Sequence, residues 1–180
     1  MAQDLATTDN HDLTATHPGE NLDDYVTFYI EKQMFGIAVL NVQDILMPEN
    51  IAAIPLAPPE VSGSINLRGR IVTVIDVRVR LGLSPKDLTI GQNMGVTVEH
   101  GHDLYTLLVD RIGDVMGLPN EKFERNPATL APVWREFSNG VYRLEDNLLV
   151  VLDIDRLLDL SKDAGKVRSE EHTSDLQSRP

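Results

Sequence analysis

The side chains best equipped for chemistry in this 180-residue sequence are four arginines crowded into thirteen residues, Arg68, Arg70, Arg78 and Arg80, and two histidines flanking one glycine, His100 and His102. Clustered guanidinium groups bind phosphates or carboxylates through paired N–H donors. Histidines at strand spacing could begin a metal site, but zinc needs a third protein ligand and none is recognisable, so an exposed turn carrying two histidines is the simpler reading. Asp76 and Asp153 could be paired acids but are better read as caps of the turns that follow them; Asp153 and Asp155, two residues apart, are a weak metal candidate. The chain has no cysteine, which excludes disulfides, thiolate metal sites and a cysteine nucleophile. Nor does it hold a glycine-rich phosphate loop, a serine nucleophile elbow or a metalloprotease helix. The expected inventory is no catalytic residue, no metal and no cofactor.

Charge weakens the phosphate reading. The net charge is -12, and Asp4, Asp9, Asp12, Glu20, Asp23 and Asp24 supply half of it before any Lys or Arg occurs. A polyanion would be repelled unless the arginine cluster overcame that field locally. Arg78 and Arg80 lie at the exit of an apolar run and read as a solvated cluster. Composition is that of an ordinary globular protein, 42% hydrophobic and 24% charged. The longest unbroken apolar run is Leu148 to Leu152, far below the roughly 20 residues of a membrane helix, and no signal peptide opens the chain. A cytoplasmic protein that does not insert into a membrane is expected.

The elements that must position these residues are mostly short strands. Tyr25–Glu31, Ile71–Val77, Gly95–Glu99, Leu104–Val109 and Leu148–Asp153 are rich in β-branched and aromatic residues and bounded by Gly, Pro and Asn. Helix is expected at Leu40–Met47, where Val39, Val42, Ile45 and Leu46 share a face, and at Ile154–Leu160 after Asp153. Residues 1–24 have the composition of a disordered acidic tail. Residues 161–180 form a polar tail, and Arg168–Ser178 (RSEEHTSDLQS) resembles a translated sequencing adapter, to be excluded from fold reasoning. Trp134 sits in a loop-like stretch, Pro127–Ser138, and reads as a plug between packed elements.

The core pattern occurs twice. A shift of 70 lays Phe35, Ile37, Val39, Val42, Asp44, Ile45 and Leu46 over Tyr105, Leu107, Val109, Ile112, Asp114, Val115 and Met116. A shift of 77 lays Gly63, Leu67, Ile71, Val72, Val74, Ile75, Asp76 and Val77 over Gly140, Leu144, Leu148, Leu149, Val151, Leu152, Asp153 and Ile154. Two similar small all-β barrels, packed together with short helical segments, are expected over residues 25–160, with a boundary near 85–95 and exchange of C-terminal elements open. Where the copies differ the fold is not the reason: Asn66, Arg68 and Gly69 have no counterparts in kind.

The run PLAPPEVSGSINLRGRIVTVIDVRVRLGL, Pro55 to Leu83, closely resembles the signature of the CheW family, the bacterial chemotaxis coupling proteins. FGIAVLNVQDIL (Phe35–Leu46) and DRIGDV (Asp110–Val115) extend the resemblance over about Tyr25–Leu160. It implies two intertwined, five-stranded SH3-like barrels, no enzymatic activity, and a scaffold between the cytoplasmic hairpin tip of a chemoreceptor and the regulatory domain of a CheA-type histidine kinase. Carried over residue by residue, receptor binding maps to Val42, Asp44, Ile45 and Arg68, and shaping of the turn to Asn66 and Gly69; the kinase-contact residues stay unassigned. Asp44 stands where the family has Glu, one methylene shorter, which bears on whether it can position Arg68. Val42 and Ile45 are open between core and docking surface. The alternatives are a coupling protein of a related array, such as one for twitching motility, or a small-ligand or nucleic-acid-binding barrel using Arg68–Arg80.

Overall fold

The computed structural model describes residues 21–85, 87 and 93–161. The tail assignments for residues 1–20 and 162–180, including the adapter-like segment, lie outside the described residues. Eleven strands and three short helices follow in the order β1 (Leu22–Ile30), β2 (Gln33–Ala38), β3 (Val42–Leu46), β4 (Val61–Leu67), β5 (Arg70–Asp76), α1 (Val77–Arg80), β6 (Met94–His100), β7 (Asp103–Val109), β8 (Arg111–Pro119), β9 (Phe123–Glu124), α2 (Pro132–Phe137), β10 (Ser138–Arg143), β11 (Leu148–Leu152) and α3 (Ile154–Leu158). The five expected strands are present, and the described residues are all-β apart from these helices and short 3-10 turns. None of them is long and apolar enough to cross a membrane.

The strands form two mixed sheets, ordered β8-β1-β2-β11-β10-β9 and β3-β6-β7-β5-β4. The sequence duplication explains the match between them. β2, β3, β4 and β5 of the first copy correspond to β7, β8, β10 and β11 of the second, and the β1–β2 hairpin corresponds to β6–β7. Exchanging the copies turns one sheet order into the other, with β9 added at one edge. Each sheet therefore takes its hairpin from one copy and three strands from the other. The parallel pairs β2–β11 (Phe35 opposite Val150) and β5–β7 (Ile75 opposite Leu107) are where the copies meet.

Strand periodicity decides which core each side chain enters. On β11, Leu149 and Val151 fill a cluster with Tyr25, Met34 and Tyr142, while Val150 and Leu152 turn to the main core. On β5, Val72 and Val74 fill a third cluster with Ile65 and Leu108, and Ile75 joins the main core. Burial on both faces is why these strands read as unbroken apolar runs. The main core joins Phe28, Phe35 and Ile37 of one sheet to Val96, Val98 and Leu107 of the other.

Three expectations are corrected. Leu40–Met47 is not a helix: Val39–Asn41 form one turn of 3-10 helix and Val42–Leu46 are strand β3, paired with β6. Eight residues hold too few periods to tell the two apart, and pairing to a neighbour outweighs helix propensity over so short a run. The supposed loop Pro127–Ser138 contains helix α2, started by Pro132 in its first turn. Leu22–Asp24, read as tail, are the first residues of β1, paired with Gly117–Pro119.

Trp134 does fill the space between packed elements. Its indole N–H donates to the Leu81 carbonyl at 3.1 Å, and its ring meets Phe35 edge-on at 5.4 Å. Asp76 and Asp153 are caps, as their repeat positions require. Asp76 Oδ1 accepts from the Arg78 N–H at 2.9 Å and Asp153 Oδ1 from the Arg156 N–H at 3.1 Å.

Candidate functional site

The NLRG segment is the tip of the β4–β5 hairpin. Leu67 pairs with Arg70, leaving Arg68 and Gly69 as a two-residue connection. Both have positive φ, 52° and 87°, the pattern of the primed turns that match strand twist. Glycine adopts it freely. Arginine pays about 1 kcal/mol or more for left-handed backbone. Asn66 holds the turn from within, its Oδ1 accepting the Gly69 N–H at 2.8 Å. The result is a guanidinium on a rigid tip, its side chain 84% exposed.

Asp44 meets that tip from β3. Its Oδ2 accepts from Arg68 Nη2 at 3.3 Å and its Oδ1 from the Ile45 N–H at 2.9 Å. The shorter carboxylate therefore reaches the arginine. β3 and β4 are the outer strands of their sheet, so this contact also shows the sheet rolled until its two edges approach. Val42 and Ile45 separate: Val42 packs against the main core, whereas Ile45 is 40% exposed beside Asp44. Glu145, in the β10–β11 turn, stands where Arg68 does, so the second copy presents the opposite charge.

Sequence reasoning missed three apolar neighbours. Leu40 is 93% exposed in the turn before β3, Met47 follows Ile45 on the same side of the chain, and Ile71 sits next to the hairpin tip opposite Asn66. Alternation along Gln43, Ile45 and Met47 was the available signal, hidden by reading the segment as helix. By strand alternation Ile45 and Met47 lie on the face of β3 opposite Asp44, so the edge of the sheet offers exposed apolar side chains on one face and the Asp44–Arg68 pair at the other, features that can receive an amphipathic helical element carrying a carboxylate.

The arginine cluster, in contrast, is not a surface patch. Only Arg68 and Arg70 face solvent. Arg78 donates to Asp110 at 2.7 Å, Glu31 at 3.1 Å and the Ser84 carbonyl at 2.9 Å. Arg80 is buried; its guanidinium donates to the carbonyls of Leu157 at 2.7 Å and Arg156 at 3.2 Å and lies over the Phe137 ring. The expectation that both were solvated is overturned, because carbonyls at the end of α3 and carboxylates at two turns need donors the backbone does not supply. A nucleic-acid or phosphate surface spanning Arg68–Arg80 goes with it.

His100 is likewise engaged, its Nδ1 lying 2.9 Å from Asp155 Oδ1, while His102 is exposed in the β6–β7 turn. A half-open cleft of about 710 Å³ lies elsewhere, lined by Asp23, Glu99, Asp153 and Asp155 over Tyr25 and Tyr142. Burial, with a hydrogen bond to Tyr142, raises the Tyr25 hydroxyl well above the usual phenol range. The cleft contains none of Val42, Asp44, Ile45 or Arg68.

Residues 24–162 match the CheW-like domain family. Among curated proteins, the chain is 30% identical over 135 residues to the chemotaxis protein CheW of Treponema pallidum, covering 73% of this chain and 79% of that one. It is 29% identical over 136 residues to the chemotaxis protein CheW of Klebsiella aerogenes, covering 75% and 81%. In fold it is similar to the scaffolding protein TtCheW from Thermoanaerobacter tengcongensis, with a TM-score of 0.70, 23% identity, and 78% and 94% of the two chains covered. The strand-exchanged pair of sheets, the NLRG hairpin and these matches agree: the chain belongs to the CheW-like domain family.

Proposed function

We propose that the protein is a non-enzymatic adaptor of chemotaxis signalling, joining the cytoplasmic hairpin tip of a chemoreceptor to the regulatory domain of a CheA-type histidine kinase. It works in the cytoplasm, held at receptor arrays by these partners. The observation that carries the reading is the corner made by β3 and the β4–β5 tip. There Arg68 projects from an exposed turn with positive φ at both places and pairs with Asp44 of β3, the strand that also carries exposed Ile45. The receptor's helical tip lays apolar side chains on Ile45 and its neighbours and offers a carboxylate or helix C-terminus to Arg68. The kinase domain docks away from this corner, on the other barrel. Both partners then sit on one body with a continuous core, so a shift at the receptor tip biases the kinase through differential contacts.

The test is titration of a receptor hairpin fragment and of the kinase regulatory domain onto the full chain and its Arg68→Glu variant. Loss of hairpin binding with kinase binding kept is expected. Unchanged hairpin affinity in a variant with a normal unfolding midpoint would overturn the assignment.

A further inference from the structure

The half-open cleft of about 710 Å³ lies within the size range of sites that take small organic molecules, about 300–1,000 Å³. It draws on both sheets: Asp23 and Tyr25 come from β1, Tyr142 from β10, and Glu99 from β6 of the other sheet, with Asp153 and Asp155 at the start of α3. Among the described residues no Lys, Arg or His lines it. Two of its carboxylates already face a cation or an imidazole, Asp153 with Arg156 at 3.4 Å and Asp155 with His100 at 2.9 Å. Glu99 accepts from the neutral amide of Gln43 at 3.1 Å, and the Asp23 carboxylate has no hydrogen bond or ion pair among the described residues. Asp23 and Glu99 therefore stand without a countercharge.

The floor beneath them holds a second unmet group. Tyr25 and Tyr142 are each more than nine-tenths buried. Their rings meet edge-on at 5.6 Å, and Phe123 lies 5.3 Å from Tyr142. The two phenols are hydrogen-bonded to each other. One hydroxyl donates and the other accepts, so the accepting phenol's own O–H has no acceptor among the described residues, while both residues line the cleft. Burial, that bond and nearby Asp23 hold the Tyr25 proton in place. A buried donor left unmet is costly, and an acceptor on a bound molecule removes the cost.

We propose that this cleft binds an organic cation, a guanidinium or ammonium on a short apolar stem that also carries a carbonyl. The cationic head answers the carboxylates of Asp23 and Glu99, the stem lies along the Tyr142 and Phe123 rings, and the carbonyl accepts the spare phenol proton. The net charge of -12 adds a field that draws such a ligand in and turns anions away. An arginine or lysine unit has this chemistry, either as a free derivative or within a peptide.

The experiment is a calorimetric titration of the full chain, without any partner protein, with N-acetyl-arginine amide and with N-acetyl-citrulline amide, its neutral isostere. Saturable binding of the first is expected, with the second weaker by about tenfold or more, the loss that goes with a charge-assisted bond. Asp23→Asn should lower affinity for the arginine amide by about tenfold or more. Asp24→Asn removes the same charge from the neighbouring residue, outside the cleft, and should leave affinity unchanged. Both side chains are exposed at the start of β1, so both variants should keep the fold. Butylguanidinium, with head and stem but no carbonyl, should bind more weakly than the arginine amide. A capped pentapeptide with one central arginine separates the sources: tighter binding than the single residue points to a partner's chain, equal binding to a free small molecule. No saturation by either arginine ligand at millimolar concentration, equal binding of the citrulline amide, or equal losses in Asp23→Asn and Asp24→Asn would overturn the site. Receptor and kinase play no part in this readout, so it stands apart from the adaptor assignment.

Discussion

Replacing Arg68 with asparagine separates the two roles of the β4–β5 tip. Asn-Gly is the preferred pair for a two-residue turn with positive φ at both places, so Arg68→Asn removes backbone strain of about 1 kcal/mol. It also removes the Arg68–Asp44 bridge, but with the arginine side chain 84% exposed that contact is worth about 0.2–1 kcal/mol at most. The two changes nearly cancel or leave a gain. Stability should therefore stay within about 0.5 kcal/mol of wild type or rise, read as the midpoint and slope of a urea transition. Receptor binding should move the other way. A charge-assisted hydrogen bond contributes about 1.5–3 kcal/mol, so affinity for the hairpin fragment should fall by about ten- to a hundredfold. Calorimetric titration of the same two samples measures it. A variant that unfolds earlier would refute the strain argument. Undiminished hairpin binding in a folded variant would refute the role of the guanidinium.

Other consequences can be measured on the protein alone. Asp76→Ala and Asp153→Ala each remove a helix cap and should cost about 1 kcal/mol, with the larger effect at Asp76 because it is buried while Asp153 is part-exposed; a silent Asp153→Ala would mean the cap is not used. Arg80→Met leaves the end of α3 without its buried donors and should cost about 3 kcal/mol or more in thermal or urea unfolding, whereas Arg70→Met, on an exposed side chain, should be near neutral. Separate chains ending at Ser84 and starting at Asn93 should each lack stable sheet structure, since each sheet needs strands from both, and should regain the native circular dichroism on mixing. A half that folds alone would contradict the exchange.

The duplication was legible because both copies repeat apolar positions that face the same cores, and its period predicted matching strand sets. The caps were legible for the same reason, Asp76 and Asp153 recurring before apolar turns. β3 was not: Val42, Ile45 and Leu46 satisfy a helical face and a bulged edge strand equally, and only the pairing of Ile45 with Val96 decides. β4 and β10 escaped notice partly because Gly63 and Gly140 interrupt their alternation. At Gly63 a side chain would strike the Ala52 carbonyl, so the glycine marks a close approach of two chain segments. Arg80 misled because charge in sequence signals solvent, while the α3 carbonyls that bury it lie 76 to 79 residues away. Arg68 stood out through a contrast between copies, a signal that does not depend on knowing its partner.

An adaptor must hold both partners at once, and the most direct measurement is sedimentation of the full chain with the receptor hairpin fragment and the kinase regulatory domain, singly and together. The account expects a three-component complex larger than either pair, lost from the receptor side alone in Arg68→Glu. Competition between the two partners for one surface, or binding of neither, would contradict it.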